Sequence, residues 1–195
     1  MALLAGCAAA NASSGREDGP PSPRTVTVVG DSLTVLGEQG IRPALSDAGW
    51  FAALDAYPGR TTATQMDALR AAAARQNDAT IIELGTNDAL AVARGELSIQ
   101  QADADIVAAL DLFHGRCVVW VIPDRDPERQ GAATGTQIDA IVRREARHRS
   151  NVHVADMAAL LSSHPDFLVY DRVHLTGEGY EALGTLMADA LGACN

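Results

Sequence analysis

Lysine is absent from the 195-residue chain: all 15 basic residues are arginine, set against 25 acidic ones, for a formal net charge of −10. So acidic a surface repels phosphate backbones and anionic headgroups, and no stretch of the sequence concentrates enough arginine to reverse that field, so nucleic acid is not an expected partner. No apolar run reaches the ~18 residues that a membrane-spanning helix needs, so no transmembrane span is expected. Cysteine is limited to Cys7, Cys117 and Cys194. A chain of this size removes roughly 70% of its unfolded surface from water without a disulfide mesh or structural metal. His114, His148, His153 and His164 have no helical four-residue spacing and no neighbouring cysteines, so no metal site is expected. No 20- to 50-residue period recurs, which excludes solenoids and propellers. What remains, 47% hydrophobic and 21% charged residues, is the composition of an ordinary globular domain.

The first ten residues are small or apolar and contain Leu4-Ala5-Gly6-Cys7. This run resembles the lipobox of bacterial lipoproteins, in which the cysteine is lipidated and becomes the anchored first residue. It departs from the pattern in length, because a signal peptide carries a charged start and about 7 to 15 apolar residues before the cleavage site. The reading adopted is a truncated signal with a lipid anchor at Cys7, hence an exported protein, of the cell envelope or secreted; if Met1 is the true start, the location is cytoplasmic. Residues 8–23, ending in Gly19-Pro20-Pro21-Ser22-Pro23, have linker composition. Residues 1–24 are therefore read as signal-like segment and linker, and residues 25–195 as the folded domain.

Within that domain Thr25–Val29, Trp50–Ala56, Ala79–Leu84, Arg116–Ile122 and Val152–Ala155 read as strands, rich in β-branched residues and bounded by turn formers. Helical spacing fills the intervals: after Gly30 to about Ala48, Thr62 to Gln76 behind a Thr61 or Thr62 cap, Ser98 to about Phe113, Gly135 to about His148, and Gly177 to Leu191 behind Thr176. Strand and helix alternate five times, which predicts a three-layer α/β/α domain with a parallel sheet. In such sheets ligands bind beyond the carboxyl ends of the strands. Cys117 opens a strand and Cys194 closes the last helix, so both fall at the opposite end, where they could pair in an oxidising compartment or stay apart as a core residue and a frayed tail in a reducing one.

The rim loops carry the chemistry-bearing residues. Gly30-Asp31-Ser32-Leu33 puts a serine at a helix start, either as a cap or as a nucleophile whose own N–H is left free. Gly59 follows strand two, either to permit a positive-φ turn or to let a substrate oxygen approach the backbone. Gly85-Thr86-Asn87-Asp88 offers an amide donor in Asn87, with Asp88 as a cap for the next helix. Asp171 stands three residues before His174, where a carboxylate can hold the imidazole for base duty or form no more than a surface hydrogen bond.

Together these four blocks identify the chain, over residues 25–192, as similar to the SGNH hydrolases, the GDSL esterases and lipases. The resemblance implies a flavodoxin-like sheet of order 2-1-3-4-5 and cofactor-free catalysis. It further implies Ser32 as nucleophile, His174 as base, Asp171 as its orienting carboxylate, and an oxyanion hole from the Ser32 and Gly59 N–H groups and the Asn87 amide. The Pro123–Gln130 loop is charged and should overhang the rim without an apolar lid. Together with the low aromatic content, this favours short acyl esters of polar or carbohydrate carriers over long-chain lipids. Acyl transfer to a sugar hydroxyl, a long-chain lipase or thioesterase, and a non-catalytic glycan-binding module are the alternatives. Met66, Met157 and Met187 read as packing residues, and Arg143–Arg147 as a solvated helix face.

Overall fold

A computed structural model describes residues 23–123 and 130–194. Cys7, most of the linker and residues 124–129 of the rim loop lie outside the described residues. Five strands, β1 (Arg24–Gly30), β2 (Trp50–Ala56), β3 (Ala79–Glu83), β4 (Cys117–Val121) and β5 (Val152–Ala155), form one sheet of order 2-1-3-4-5 with every pairing parallel. This is the flavodoxin-like order expected from the sequence. The central strands are apolar along their length because both faces are covered: Val28, Val29, Ile81, Ile82, Val118 and Val119 are fully enclosed.

One face carries α1 (Ser32–Leu36), α2 (Glu38–Asp47), α7 (Met157–Ser163) and α8 (Gly177–Ala190), whose Leu33, Ile41, Leu45, Leu161, Leu183 and Met187 pack against Val28 and Ile81. The other carries α3 (Met66–Ala74), α4 (Thr86–Ala93), α5 (Ile99–Asp111) and α6 (Ala132–His148), with Leu69, Ala89, Ile106, Leu110 and Ile138 around Trp120. Close packing of α2 on α8 depends on small residues: a Cβ on Gly184 would lie 2.6 Å from the Gly40 carbonyl oxygen. Register sets the height of the rim. Gly30 pairs with Ala56 on one side and Glu83 on the other, so the chain leaves β1, β2 and β3 at the same level.

Several expectations are corrected. The stretch after Gly30 is two helices, because the Gly37 N–H closes α1 onto the Leu33 carbonyl and α2 begins at Glu38. Of the two threonines read as caps, Thr61 accepts the Thr64 N–H at 3.4 Å and Thr62 makes no side-chain cap; Ala63–Gln65 is a 3₁₀ turn and α3 begins at Met66. The helix α4 begins already at Thr86, inside the stretch Gly85–Asp88 read as a rim loop, α7 fills a segment to which no element was assigned, and α6 starts at Ala132 with Gly135 buried inside it. Arg143–Arg147 is not merely solvated. Arg143 pairs with Asp139 at 2.6 Å and Asp156 at 2.5 Å, and Arg144 with Asp103 at 2.5 Å, tying α6 to α5 and to the start of α7. Cys117 and Cys194, with Cα atoms 5.6 Å apart, form a disulfide between the start of β4 and the end of the 3₁₀ turn Leu191–Ala193 that follows α8.

Candidate active site

Ser32 is the first residue of α1, and the Asp31 carboxylate caps that helix by accepting from the Leu33 N–H at 2.9 Å. The first N–H groups of a helix have no carbonyl behind them, so the Ser32 amide has no partner within α1. The Ser32 hydroxyl lies 3.0 Å from His174 Nε2, bridging 142 positions of sequence. His174 Nδ1 lies 2.8 Å from Asp171 Oδ2, and Asp171 Oδ1 accepts from the backbone N–H groups of Val173 and His174, both at 2.9 Å. A left-handed Arg172 (φ 58°) makes the tight turn that aims the carboxylate at the ring. Burial works against the Asp171 charge, but the hydrogen bonds from the His174 ring and from the two N–H groups outweigh it and hold the carboxyl at about 2.

Gly59 and Asn87 border the same cleft as Ser32, Asp171 and His174. Its volume is about 320 Å³, and Pro58, Leu90 and Val173 form its apolar lining. Gly59 has φ 74°, and a Cβ there would meet nothing within 4 Å. Glycine is thus required at this position by backbone conformation, not by lack of room. Asn87 stands in the first turn of α4 and donates through Nδ2 to Asp31 Oδ2 at 2.7 Å. All five residues singled out from the sequence therefore meet at one rim.

The sequence reading missed the buried polar residues beneath them. Asp88 does not serve as a surface cap: it is fully enclosed and accepts the Thr62 N–H at 3.0 Å and the Thr62 hydroxyl at 3.3 Å, fastening the segment after Gly59 to α4. Burial pushes its carboxyl up to about 6, against those hydrogen bonds. Gln65 Nε2 donates to the Gly30 carbonyl at 2.8 Å, and Trp120 Nε1 to the Leu84 carbonyl at 3.0 Å, fixing the ends of β1 and β3. Glu83 is also enclosed, and the Thr34 hydroxyl donates to it at 3.0 Å. A glutamate inside the apolar run Ile81-Ile82-Glu83-Leu84 was the available signal, since carboxylates are rarely buried without a purpose-built environment.

A family model for the GDSL-like lipase/acylhydrolase family matches residues 28–182. The chain belongs to that family. It is therefore an enzyme of the esterase class, the SGNH hydrolase anticipated from the four blocks. Among curated proteins it is 27% identical over 118 residues to O-acetyltransferase OatA of Staphylococcus aureus, covering 60% of this chain but only 17% of that protein. Among solved structures, the catalytic domain of peptidoglycan O-acetyltransferase A from Streptococcus pneumoniae superposes with TM-score 0.72 at 20% identity, covering 88% of this chain and 94% of that one. The acetyl xylan esterase AlAXEase superposes with TM-score 0.73 at 18% identity, covering 86% of this chain and 99% of that one. At such identities the likeness is one of fold. Among the described residues no group of His, Cys, Asp and Glu is arranged to hold a metal ion, and no helix is long and apolar enough to cross a membrane.

Proposed function

We propose that this GDSL-family enzyme is a serine ester hydrolase that forms an acyl-Ser32 intermediate and acts on short, acetyl-type esters of polar or carbohydrate carriers. The observation that carries the reading is the line Asp171–His174–Ser32, with consecutive contacts of 2.8 and 3.0 Å. Ser32 Oγ attacks the ester carbonyl while His174 Nε2 takes its proton, and Asp171 holds Nδ1–H and stabilises the imidazolium. The tetrahedral oxyanion receives the N–H groups of Ser32 and Gly59 and the Asn87 amide. On collapse, His174 returns the proton to the departing alcohol oxygen; water then attacks acyl-Ser32 by the same path and releases the acid. Asp171, held at about 2, stays a carboxylate through the neutral range.

Three features support the substrate class. A cleft of about 320 Å³ lies at the small end of ligand pockets, which run from roughly 300 to 1,000 Å³. Tyr57 and Tyr170 are 59% and 96% exposed, one close before Gly59 and the other next to Asp171. Exposed, flat amphipathic rings suit the face of a sugar better than an acyl chain. Acetyl xylan esterases and peptidoglycan O-acetyltransferases stand among the proteins of like fold. A cell-envelope location, with the lipid anchor at Cys7, accords with the Cys117–Cys194 disulfide, since such bonds persist in oxidising compartments.

The OatA relatives favour a second reading, in which a sugar hydroxyl replaces water as acyl acceptor. A panel of p-nitrophenyl esters from acetate to decanoate, with Ser32→Ala as blank, tests the first. Activity should peak at acetate to butyrate; a maximum at octanoate or beyond overturns the substrate class. Including a carbohydrate acceptor and analysing products for acyl sugar separates transfer from hydrolysis.

A further inference from the structure

Glu83 and Asp31 are both enclosed in the protein, 1% and 0% exposed, and they are neighbours at the start of α1: the Asp31 backbone N–H points at Glu83 Oε2 at 3.5 Å, and Thr34, one turn on, donates to the same oxygen at 3.0 Å. No arginine among the described residues pairs with either. Two like charges side by side in a dry site cannot both be ionised, so the pair retains a proton. The surrounding donors decide which acid keeps it. Asp31 accepts the Leu33 N–H at 2.9 Å and the Asn87 amide at 2.7 Å, whereas Glu83 Oε2 accepts the Thr34 hydroxyl at 3.0 Å and the Asp31 N–H at a long 3.5 Å. Two short N–H bonds favour the charge on Asp31 and leave the proton on Glu83. Burial foremost, and then the Asp31 charge, hold Glu83 well above the ordinary carboxyl range. The Thr34 hydroxyl reaches Glu83 because Gly30 leaves it space: a Cβ on Gly30 would lie 2.0 Å from Thr34 Oγ1.

The Asn87 amide has a donor end and an acceptor end, and it is useful to an oxyanion in only one of its two orientations. We infer that Glu83 is a positioning residue that acts as a neutral acid: by donating to Asp31 it keeps Asp31 a pure acceptor, which turns Asn87 so that its second N–H faces the substrate oxyanion. The inference rests on the reading of Asn87 as an oxyanion donor. Without Glu83, Asp31 lies beside an apolar group, takes up a proton more readily, and no longer discriminates between the two ends of the Asn87 amide.

Steady-state kinetics on p-nitrophenyl acetate test this in a double-mutant cycle. Glu83→Gln, which can donate to Asp31 through its amide and accept from Thr34 through its oxygen, should keep most of the turnover. Glu83→Met should lose about 10- to 100-fold in kcat at nearly unchanged KM, within the ~10² to 10³ that a missing oxyanion donor costs. In an Asn87→Ala background the same Glu83→Met change should cost nothing further, because its effect passes through Asn87. Undiminished kcat in Glu83→Met, or losses that multiply in the double variant, overturns the inference. Undiminished kcat in Asn87→Ala overturns instead the oxyanion reading beneath it. Should Glu83→Met fail to fold, Asp31→Asn takes its place, with the same loss expected alone and the same absence of added loss over Asn87→Ala.

Discussion

The two ends of the sheet are built on opposite electrical plans. At the amino ends of the strands, where helices finish, arginines meet exposed carbonyls. Arg116 donates to the Arg75 carbonyl just after α3 at 3.0 Å and to the Leu112 carbonyl just after α5 at 3.3 Å, and Arg24 lies 4.1 Å over the Trp50 ring. At the carboxyl ends, where helices begin, Asp31, Asp88 and Asp156 sit at helix starts, with Glu83 and Asp171 beside them. Helix dipoles favour this division, cations at the finish and anions at the start. Asp78 is an exception, an acid at the arginine end that accepts from the Thr25 N–H at 2.7 Å. The difference shows where stability and function separate. One end is closed by a disulfide and by charges that match the helix ends; the other holds buried carboxyls raised above their ordinary range, an arrangement costly to the fold and useful to the site.

The largest effect expected on stability comes from the closed end. The Cys117–Cys194 bond joins residues 77 apart, and in the chain-entropy account such a link is worth about 4 to 5 kcal/mol. Reduction, or replacement of both cysteines by alanine, should lower the unfolding free energy by that order in denaturant titration while esterase kcat/KM below the transition stays unchanged. A parallel fall in kcat/KM would show that the two ends are not independent.

At the rim a smaller effect with a definite sign is expected from Asp88. Its carboxyl is pushed up from 3.8 to about 6 in the folded protein. The folded state therefore binds this proton more tightly than the unfolded chain, and protonation stabilises it as pH falls from 7 through 6 toward 3.8. Measured against Asp88→Asn, the wild-type chain should gain about 1.4 kcal/mol between pH 7 and pH 5, one pKa unit of interaction energy. A difference between the two proteins that stays flat over that range would remove Asp88 from the titration and weaken the contrast between the ends.

The sheet and the principal site residues were legible because their signals are local. β-branched runs ending at Gly30 and Gly85 mark where buried strands reach a rim, and Ser32, Gly59, Asn87, Asp171 and His174 stand directly after strands or before α8. Elements of about two turns were not legible: α4, 8 residues long, begins inside the stretch Gly85–Asp88 that reads as a loop, and α7 is only 7 residues long behind its Asp156 cap. Nor were the long-range pairs. Asp88 with Thr62, Glu83 with Thr34 and Asn87 with Asp31 are 26, 49 and 56 positions apart. Nothing in the local pattern around Asp88 distinguishes a helix cap from a buried anchor, and Arg143 and Arg144 of α6 read as solvated because Asp156 and Asp103, which tie them down, lie outside that helix.

The central claim is that Ser32 is made nucleophilic by His174. Mass spectrometry of tryptic peptides after treatment with a fluorophosphonate, whose phosphorus takes the serine oxygen and expels fluoride, tests it most directly. The account predicts one stoichiometric adduct on Ser32, loss of esterase activity in step with labelling, and labelling of His174→Ala slowed by several orders of magnitude. An active enzyme that carries the adduct elsewhere, or labels equally fast without His174, contradicts it.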